Sequence, residues 1–235
     1  MVFWPWGRKR SVLHPLIEQN HDYFRLSRQD LPLTALEFVV FDSELTGMDE
    51  RQDEIVALGA VRIVNMRIMA GETFHSYVRP SNLAHSESTL IHRITPNQLR
   101  AAPTLAEVLP AFLEFCGPRL LIGHYVTLDV AFLNRACQQL LGGAIRNPCL
   151  DTLRLAQAYT AKCSTNYYDF DYFQTSFALN DLSRQYGLPL FAAHDALEDA
   201  LQTAYLFLYL VQKIMGPAGY TLRDLFRASN RTGFW

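Results

Sequence analysis

The stretch LEFVVFDSELTG, residues 36–47, decides the fold class. Its first half is rich in β-branched and aromatic side chains, which is typical of a buried strand. The stretches EIVALGAVRIV (54–64) and IMAGETFHSYV (68–78) have a similar composition and are separated by a turn at residues 65–67. The sequence therefore predicts that three antiparallel strands open the domain.

Helix signals take over after these strands. Thr95 followed by Pro96 predicts a helix start, Thr104 with Glu107 forms a predicted capping box, and Asn180 is expected to cap a short helix. The other predicted elements are a strand over 119–123, a helix over 128–141 that ends at two glycines, a strand and a helix within 149–159, and a long amphipathic helix over 195–215. Strands first, then alternating strands and helices, predict an α/β fold whose central mixed sheet, three antiparallel strands and then parallel strands, is flanked by helices.

Length and composition indicate one ordinary globular domain. The chain has 235 residues, of which 49% are hydrophobic and 19% charged. We predict an N-terminal extension over residues 1–35, a main domain over residues 36–213 and a C-terminal tail over residues 214–235. The extension mixes aromatic residues with a basic run, and it is expected to pack on the domain, to stay mobile, or to contact a partner or a membrane surface.

Charge and cysteine usage narrow the function classes. A net charge of -2, from 21 basic and 23 acidic residues, excludes a strongly basic surface that holds long duplex DNA by phosphate neutralisation alone. An enzyme that binds a few terminal nucleotides is not excluded. Cys116, Cys137 and Cys149 belong to no C-x-x-C pair and are expected to be reduced, packed thiols. Because no signal peptide or membrane-length apolar run is visible, we expect a cytoplasmic protein without membrane association.

Four acids and one histidine are the candidate functional residues. Asp42 and Glu44 lie two apart at a strand end, so they would project from one face as oxygen ligands for Mg2+ or Mn2+. Asp129 follows a buried strand, at the edge of an α/β sheet where ligands usually bind. His194 and Asp199 can reach one site from the start of the long helix. A histidine there suits removal of a proton from water near neutral pH.

Each segment also has a structural interpretation when it is taken alone. A D-x-E at a strand end can be a solvated turn, Asp129 can complement a helix dipole, and His194 can be an ordinary residue of a helix start. His124 fits a satisfied structural histidine best. Converging carboxylates repel, by ~4 kcal/mol for two unit charges ~4 Å apart at an effective dielectric constant of ~20. The order and context of the three segments together therefore favour a divalent metal site.

Three motifs give the sequence a family resemblance. FDSELTG (41–47), GHYVTLDVAFL (123–133) and HDALEDA (194–200) resemble the motifs of the DEDDh 3′-to-5′ exonucleases, which are RNase H-like nucleases. LIHRIT and CLDTLRLA are secondary matches to the branch that contains the epsilon proofreading subunit of bacterial DNA polymerase III. The likeness spans roughly residues 36–213 and implies the RNase H-like exonuclease fold.

The resemblance also implies roles for single residues. By position, the metal ligands for two divalent ions, Mg2+ or Mn2+, are Asp42, Glu44, Asp129 and Asp199, and the general base is His194. Substrate contacts are implied for a second set of residues, namely Leu45, Thr46, Glu87, His92 and Leu128. The implied reaction is two-metal hydrolysis at the 3′ end of a single strand with release of nucleoside 5′-monophosphates.

Three positions depart from the family pattern, and none of them is a ligand. Leu45 stands where threonine is common, Tyr125 where asparagine is common, and Arg93 where a small residue is usual. Arg93 could add a phosphate contact and Tyr125 a stacking surface, and each could equally be a packing substitution.

The substrate and the partners stay open at this point. Single-stranded DNA is the favoured substrate, and RNA trimming of the RNase T or oligoribonuclease kind is the alternative, because both use the same site residues. A third hypothesis is a non-catalytic interaction module that acts through residues 1–35. The short segment after the last helix favours a stand-alone nuclease over a replicative proofreading subunit, while a polymerase partner and a homodimer are not excluded.

Overall fold

The computed structural model describes residues 12–25, 29–81, 94–163, 176–215 and 220–229. Its strands are β1 (Glu37–Leu45), β2 (Ile55–Val64), β3 (Arg67–Tyr77), β4 (Leu120–Gly123) and β5 (Cys149–Asp151). Its helices are α1 (Pro15–Phe24), α2 (Pro96–Ala101), α3 (Leu105–Cys116), α4 (Thr127–Leu141), α5 (Thr152–Cys163), α6 (Leu179–Tyr186), α7 (Ala196–Met215) and α8 (Leu222–Ala228). A short 3-10 turn, Leu33–Ala35, precedes β1.

Within the described residues, the strands form one mixed sheet in the order β3-β2-β1-β4-β5. β1, β2 and β3 are antiparallel neighbours, whereas β4 is parallel to β1 and β5 is parallel to β4. Helices cover both faces of the sheet. The predicted α/β fold, with three antiparallel strands followed by parallel strands, is confirmed.

The central strand β1 is buried on both faces, and its alternation assigns the side chains to two cores. Val39 and Phe41 pack in a cluster with α1, α3 and α4, whereas Phe38 and Val40 pack in a cluster with α5, α7 and α8. Because successive side chains point to opposite faces, Asp42 and Glu44 continue the face that α7 covers. Ser43 continues the face that α4 covers. The end of β1 therefore presents acids to one helix and a hydroxyl group to the other.

Parts of the predicted extension and tail pack against the main domain. Ile17 on α1 is fully buried in the cluster that α3 and α4 also form, and the His14 N–H donates to the Leu141 carbonyl at 2.9 Å. The Leu33 N–H donates to the Tyr220 carbonyl at 2.9 Å, which joins the segment before β1 to the segment after α7. The domain boundaries at residues 35 and 213 stay predictions.

The helix start predicted at Thr95 and the capping box predicted at Thr104 are both present, and Thr95 also forms a capping box with Gln98. The Thr95 hydroxyl accepts from the Gln98 N–H at 3.4 Å, and the Gln98 side chain reaches back to the Thr95 N–H. The Thr104 N–H donates to the Glu107 carboxylate at 2.7 Å. Both contacts satisfy backbone N–H groups that a helix start otherwise leaves without partners.

One predicted helix start is wrong. The helix α6 begins at Leu179 and its cap residue is Ala178, so Asn180 lies inside the first turn instead of capping it. The Asn180 carboxamide oxygen accepts from Nε2 of Gln202 at 2.7 Å, and Gln202 is fully buried on α7. A buried polar side chain needs a partner, so this contact between helices takes precedence over the local capping preference.

Two further features of the structure are the settings of the cysteines and the composition of the helices. Cys116 and Cys137 are buried thiols that form no disulfide bond with a described residue, Cys149 is partly buried, and Cys163 is exposed. Burial raises the pKa of the Cys137 thiol to about 12. Among the described helices, none combines the length and the apolar composition needed to cross a membrane.

Candidate active site

The end of β1 gathers carboxylates from three segments of the chain. Asp42 and Glu44 come from β1 itself, and Asp129 comes from the first turn of α4. The Ser43 N–H donates to Oδ1 of Asp129 at 3.2 Å, and the Ser43 hydroxyl donates to the same oxygen. Because Ser43 lies between the two acids of β1, it fixes the Asp129 carboxylate against the strand that carries them.

His194 and Asp199 bring the third segment to the same place. The His194 N–H donates to Oδ2 of Asp199 at 2.9 Å, and Asp195 accepts from the N–H groups of Leu197 and Glu198 at 3.1 Å. These bonds close the first turn of α7. His194 has φ +67°, which is uncommon for a residue with a side chain, and its side chain is exposed. Single atoms of Glu44, His194 and Asp199 lie within 4.8 Å of one another.

A glycine in β2 lets α7 approach this closely. Gly59 pairs with Asp42 in the antiparallel ladder and is buried. A Cβ atom built on Gly59 would overlap the backbone of Ala196 and Leu197, at the start of α7. The helix start therefore rests directly on the sheet beside Asp42, which places Asp199 over the acids of β1.

Burial and repulsion both act on the two acids of β1. Burial is the largest cause that raises the pKa of Asp42 well above its usual range, and the charges of Asp129, Asp199 and Glu44 raise it further. The pKa of Glu44 is raised to about 8, first by burial and then by the charges of Asp199 and Asp195. Each acid therefore disfavours the ionised form of its neighbours.

The two acids on the helices are affected less, because hydrogen bonds favour their ionised forms. Burial raises the pKa of Asp129 to about 6, and the Ser43 hydrogen bonds oppose this rise. Burial also raises the pKa of Asp199, while the His194 N–H and the nearby His194 charge oppose it. Such a site holds its charge best when cations are bound.

The donor set fits divalent metal ions. In the described ranges, no lysine or arginine makes a salt bridge to any of the four acids, although other acids of the sheet have arginine partners. Carboxylate oxygens are the ligands that Mg2+ and Mn2+ prefer. A divalent ion would offset the repulsion that raises the pKa values of Asp42 and Glu44.

Comparison with known proteins assigns the chain to a family. The sequence pattern of the family described as Exonuclease (RNase_T) matches residues 39–207. The chain belongs to this exonuclease family. The predicted resemblance to DEDDh exonucleases is thereby confirmed, and the matched residues span all three acid-bearing segments.

Two curated relatives and one solved structure show how far the likeness extends. The exonuclease chain is 33% identical to the DNA polymerase III subunit epsilon of Aquifex aeolicus over 192 residues, 80% of this chain and 89% of that protein. It is 35% identical to the PolC-type DNA polymerase III of Caldanaerobacter subterraneus over 178 residues, 76% of this chain but only 12% of that protein. The fold is similar to that of E. coli ExoI in a structure with single-stranded DNA and zinc, with a TM-score of 0.68 and 21% sequence identity. The match covers 82% of this chain and 43% of the ExoI chain, and it supports the fold.

The predicted substrate residues next to the acids have mixed settings. Leu45 and Leu128 are partly exposed and pack against the core cluster on the α4 side of the sheet. The Thr46 N–H donates to the Glu54 carbonyl at 2.9 Å, and its hydroxyl donates to Oδ1 of Asp53 at 2.8 Å. The backbone N–H of Thr46 is therefore engaged in the loop between β1 and β2.

Three residues named from the sequence lie outside the described residues. They are Glu87 and His92, for which substrate contacts are predicted, and Arg93, which departs from the family pattern. All three fall between residues 82 and 93, and their roles stay predictions.

His124 has the structural setting that the sequence favours. Its Nε2 donates to the Phe177 carbonyl at 2.8 Å, and Nδ1 lies 2.8 Å from the Thr152 hydroxyl. Burial lowers the pKa of this imidazole. Both ring nitrogens have protein partners, so His124 ties the end of β4 to its neighbours.

Sequence reasoning missed three residues that shape the site. Ser43 and Asp195 are polar residues within the quoted motifs, and Gly59 interrupts an apolar strand. An isolated glycine in a strand signals a close approach of another backbone, so Gly59 carried a usable signal. The Ser43–Asp129 bond joins residues 86 positions apart, and no local pattern reveals such a contact.

Proposed function

We propose that this chain is a metal-dependent 3′-to-5′ exonuclease that removes nucleoside 5′-monophosphates from the 3′ end of single-stranded DNA. The observation that carries the proposal is the convergence of Asp42, Glu44, Asp129, Asp199 and His194 at one end of β1 in a member of the exonuclease family. A binding module has no physical reason to keep acids that repel one another. One relative is named as a PolC-type DNA polymerase III and another as the epsilon subunit of DNA polymerase III, which favours DNA as the substrate.

The four acids would hold two divalent ions, because their combined charge of -4 matches that of two such ions. Bound ions would activate a water molecule and neutralise the charge that develops on the scissile phosphate. Without cations, the four carboxylates at the end of β1 would repel an anionic strand. Ser43 contributes by holding the Asp129 carboxylate in a fixed position.

His194 is proposed as the base that accepts the proton of the attacking water. It is exposed beside Glu44 and Asp199, and its own N–H donates to Asp199, which fixes the backbone of the turn. A positioned base of this kind contributes about 10²- to 10⁴-fold to a rate. The Leu45 and Leu128 side chains offer apolar contacts to a terminal base at the same edge.

The test is a cleavage assay on matched oligonucleotides. We expect stepwise release of mononucleotides from the 3′ end of a 5′-labelled 15-mer of DNA in the presence of Mg2+ or Mn2+, and none with EDTA. Asp199→Ala, with an unchanged circular dichroism spectrum, serves as the matched inactive control. Absence of cleavage with either ion, on DNA and on RNA, would contradict the proposal.

The same assay decides the nature of the nucleic acid. Faster cleavage of an RNA 15-mer or of dinucleotides than of DNA would replace the DNA proposal by RNA trimming.

The relatives' names make a DNA polymerase III the first partner to test, by gel filtration of the mixed proteins. Location in the cytoplasm and a homodimer stay predictions.

A further inference from the structure

The turn between β4 and α4 carries an exposed tyrosine in a strained backbone conformation. Tyr125 has φ +56°, in the left-handed region that residues with a side chain rarely adopt. The tyrosine is about half exposed, with a relative accessibility of 54%. A left-handed tyrosine costs folding free energy, so its surroundings must hold it in place.

A buried acid supplies that support. The Tyr125 N–H donates to Oδ1 of Asp151 at 3.0 Å, and Asp151 is only 4% exposed. The same oxygen accepts from the Leu153 N–H at 2.9 Å, so the carboxylate joins the turn to the start of α5. The Leu128 N–H, in α4, points back to the Tyr125 carbonyl at 3.4 Å. The backbone of the turn is thereby fixed on both sides.

Tyr125 follows β4 at the end of the sheet where the acids converge. β4 runs parallel to β1 with Val40 opposite Ile122, so the residues that follow β4 lie beside the acid-bearing end of β1. Tyr125 precedes Asp129 by four residues. The one described ring contact of Tyr125 is an edge contact with His124, with ring centroids 5.1 Å apart, which leaves ring surface open to solvent.

We propose that Tyr125 is a stacking platform for a base of the bound single strand. This inference rests on the proposed nuclease function and adds a substrate-binding residue to it. A fixed aromatic ring stacks on any base, because every base has a π-face, and it loses little conformational freedom on binding. In this proposal, the fixed turn holds the half-exposed tyrosine at the acid-bearing end of the sheet.

The test uses kinetics on a single-stranded 15-mer with four variants. Tyr125→Asn and Tyr125→Leu remove the ring, Tyr125→Phe keeps it, and Tyr23→Leu removes a similarly exposed tyrosine on α1. We expect the first two to raise KM about tenfold, the order expected for the loss of one base–aromatic stack. Tyr125→Phe and Tyr23→Leu should keep the wild-type KM, and Tyr125→Asn should raise Tm because asparagine tolerates the left-handed conformation.

An abasic scan separates stacking from a merely structural role. Substrates with one abasic nucleotide at successive positions from the 3′ end are compared for wild type and Tyr125→Leu. At one position the difference in KM should disappear, because the partner of the ring is missing. An unchanged KM in an active Tyr125→Leu variant, or a difference that persists at every abasic position, overturns this inference alone. A wild type that cleaves no nucleic acid overturns the proposed function and this inference with it.

Discussion

The charged residues at the two ends of β1 have opposite kinds of neighbour. At the start of the strand, Glu37 is paired with Arg119 at 2.6 Å, and the partly exposed pair is one ordinary ion pair. At its other end, Asp42 and Glu44 meet further acids, and the pKa values of both are raised. One end of the strand is therefore neutralised within the protein, and the other needs ions from solution.

The backbone shows the same contrast. The turn from β2 to β3 lies at the Glu37 end, because Val64 pairs with Glu37, and it holds Asn65 and Met66 with φ +50° and +57°. That conformation is what a two-residue hairpin requires. At the acid end, Tyr125 and His194 have positive φ without any hairpin to require it. Strain that no local geometry explains is concentrated where the site lies.

Removal of one acid should give the largest effect. Asp42→Asn removes a proposed metal ligand and a charge, so we expect the cleavage rate to fall about a thousandfold or more, equivalent to about 4 kcal/mol of transition-state stabilisation. The same variant should be more stable than wild type in EDTA, because a buried carboxylate is removed and the repulsion from Asp129 and Asp199 is relieved. Single-turnover cleavage and urea unfolding in EDTA measure the two effects.

Glu37→Gln is the matched control at the other end of the strand. Loss of a partly exposed ion pair costs about 0–1 kcal/mol, and cleavage should be unchanged. If Asp42→Asn destabilised the metal-free protein as Glu37→Gln does, the acids would not be a repelling cluster, and the contrast between the two ends would be lost.

A glycine pair tests how α7 is placed. Gly59→Ala should lower the free energy of unfolding by about 1–3 kcal/mol, because the added methyl group meets the backbone of Ala196 and Leu197. It should also lower the cleavage rate, because the helix that carries Asp199 is displaced. In Gly71→Ala, on β3, the added methyl group meets nothing within 4 Å, so stability should be unchanged or slightly higher. Unfolding and cleavage of the two variants are compared. Equal stability of the two variants would show that the helix start does not depend on Gly59.

The sequence revealed the parts of the site that depend on local patterns. The strand composition before Asp42 predicted β1, and the alternation along it placed the two acids on one face. The sequence did not predict two long-range contacts, because no local pattern links the segments that they join. These are the contact of Ser43 with Asp129 and that of Gly59 with the start of α7. Asn180 was misassigned for the same reason, since its partner lies on another helix.

Titration of the acids should make the metal-free protein less stable as the pH rises. The folded pKa of Glu44 is about 8 and that of Asp129 about 6, whereas both are about 4 in an unfolded chain. The folded state then holds protons that the unfolded state has lost, so stability falls between about pH 4 and pH 8, by up to about 1.4 kcal/mol per pH unit for each proton. Thermal unfolding in EDTA at pH 5.5 and pH 8 measures the fall.

Glu44→Gln isolates the contribution of one acid to this fall. The variant should lose less stability than wild type between pH 6 and pH 8, because its amide does not titrate. Saturating Mg2+ should also reduce the wild-type fall, since bound ions stabilise the ionised carboxylates of the folded state. A Tm in EDTA that is the same or higher at pH 8 would mean that the acids do not repel as proposed.

The hairpin turn should give the smallest effect and the sharpest contrast with Tyr125. Met66→Gly removes a side chain from a left-handed position where glycine is preferred, so the free energy of unfolding should rise. The partly buried Met66 side chain packs on the core below it, and its loss offsets part of the gain, which leaves less than about 1 kcal/mol. KM for a single strand should stay at the wild-type value, whereas Tyr125→Asn, which relieves the same strain at the acid end, should raise it. If both variants changed KM, or if neither did, KM would not distinguish the strain at the acid end from the strain at the hairpin turn. Only urea unfolding would then distinguish the two turns.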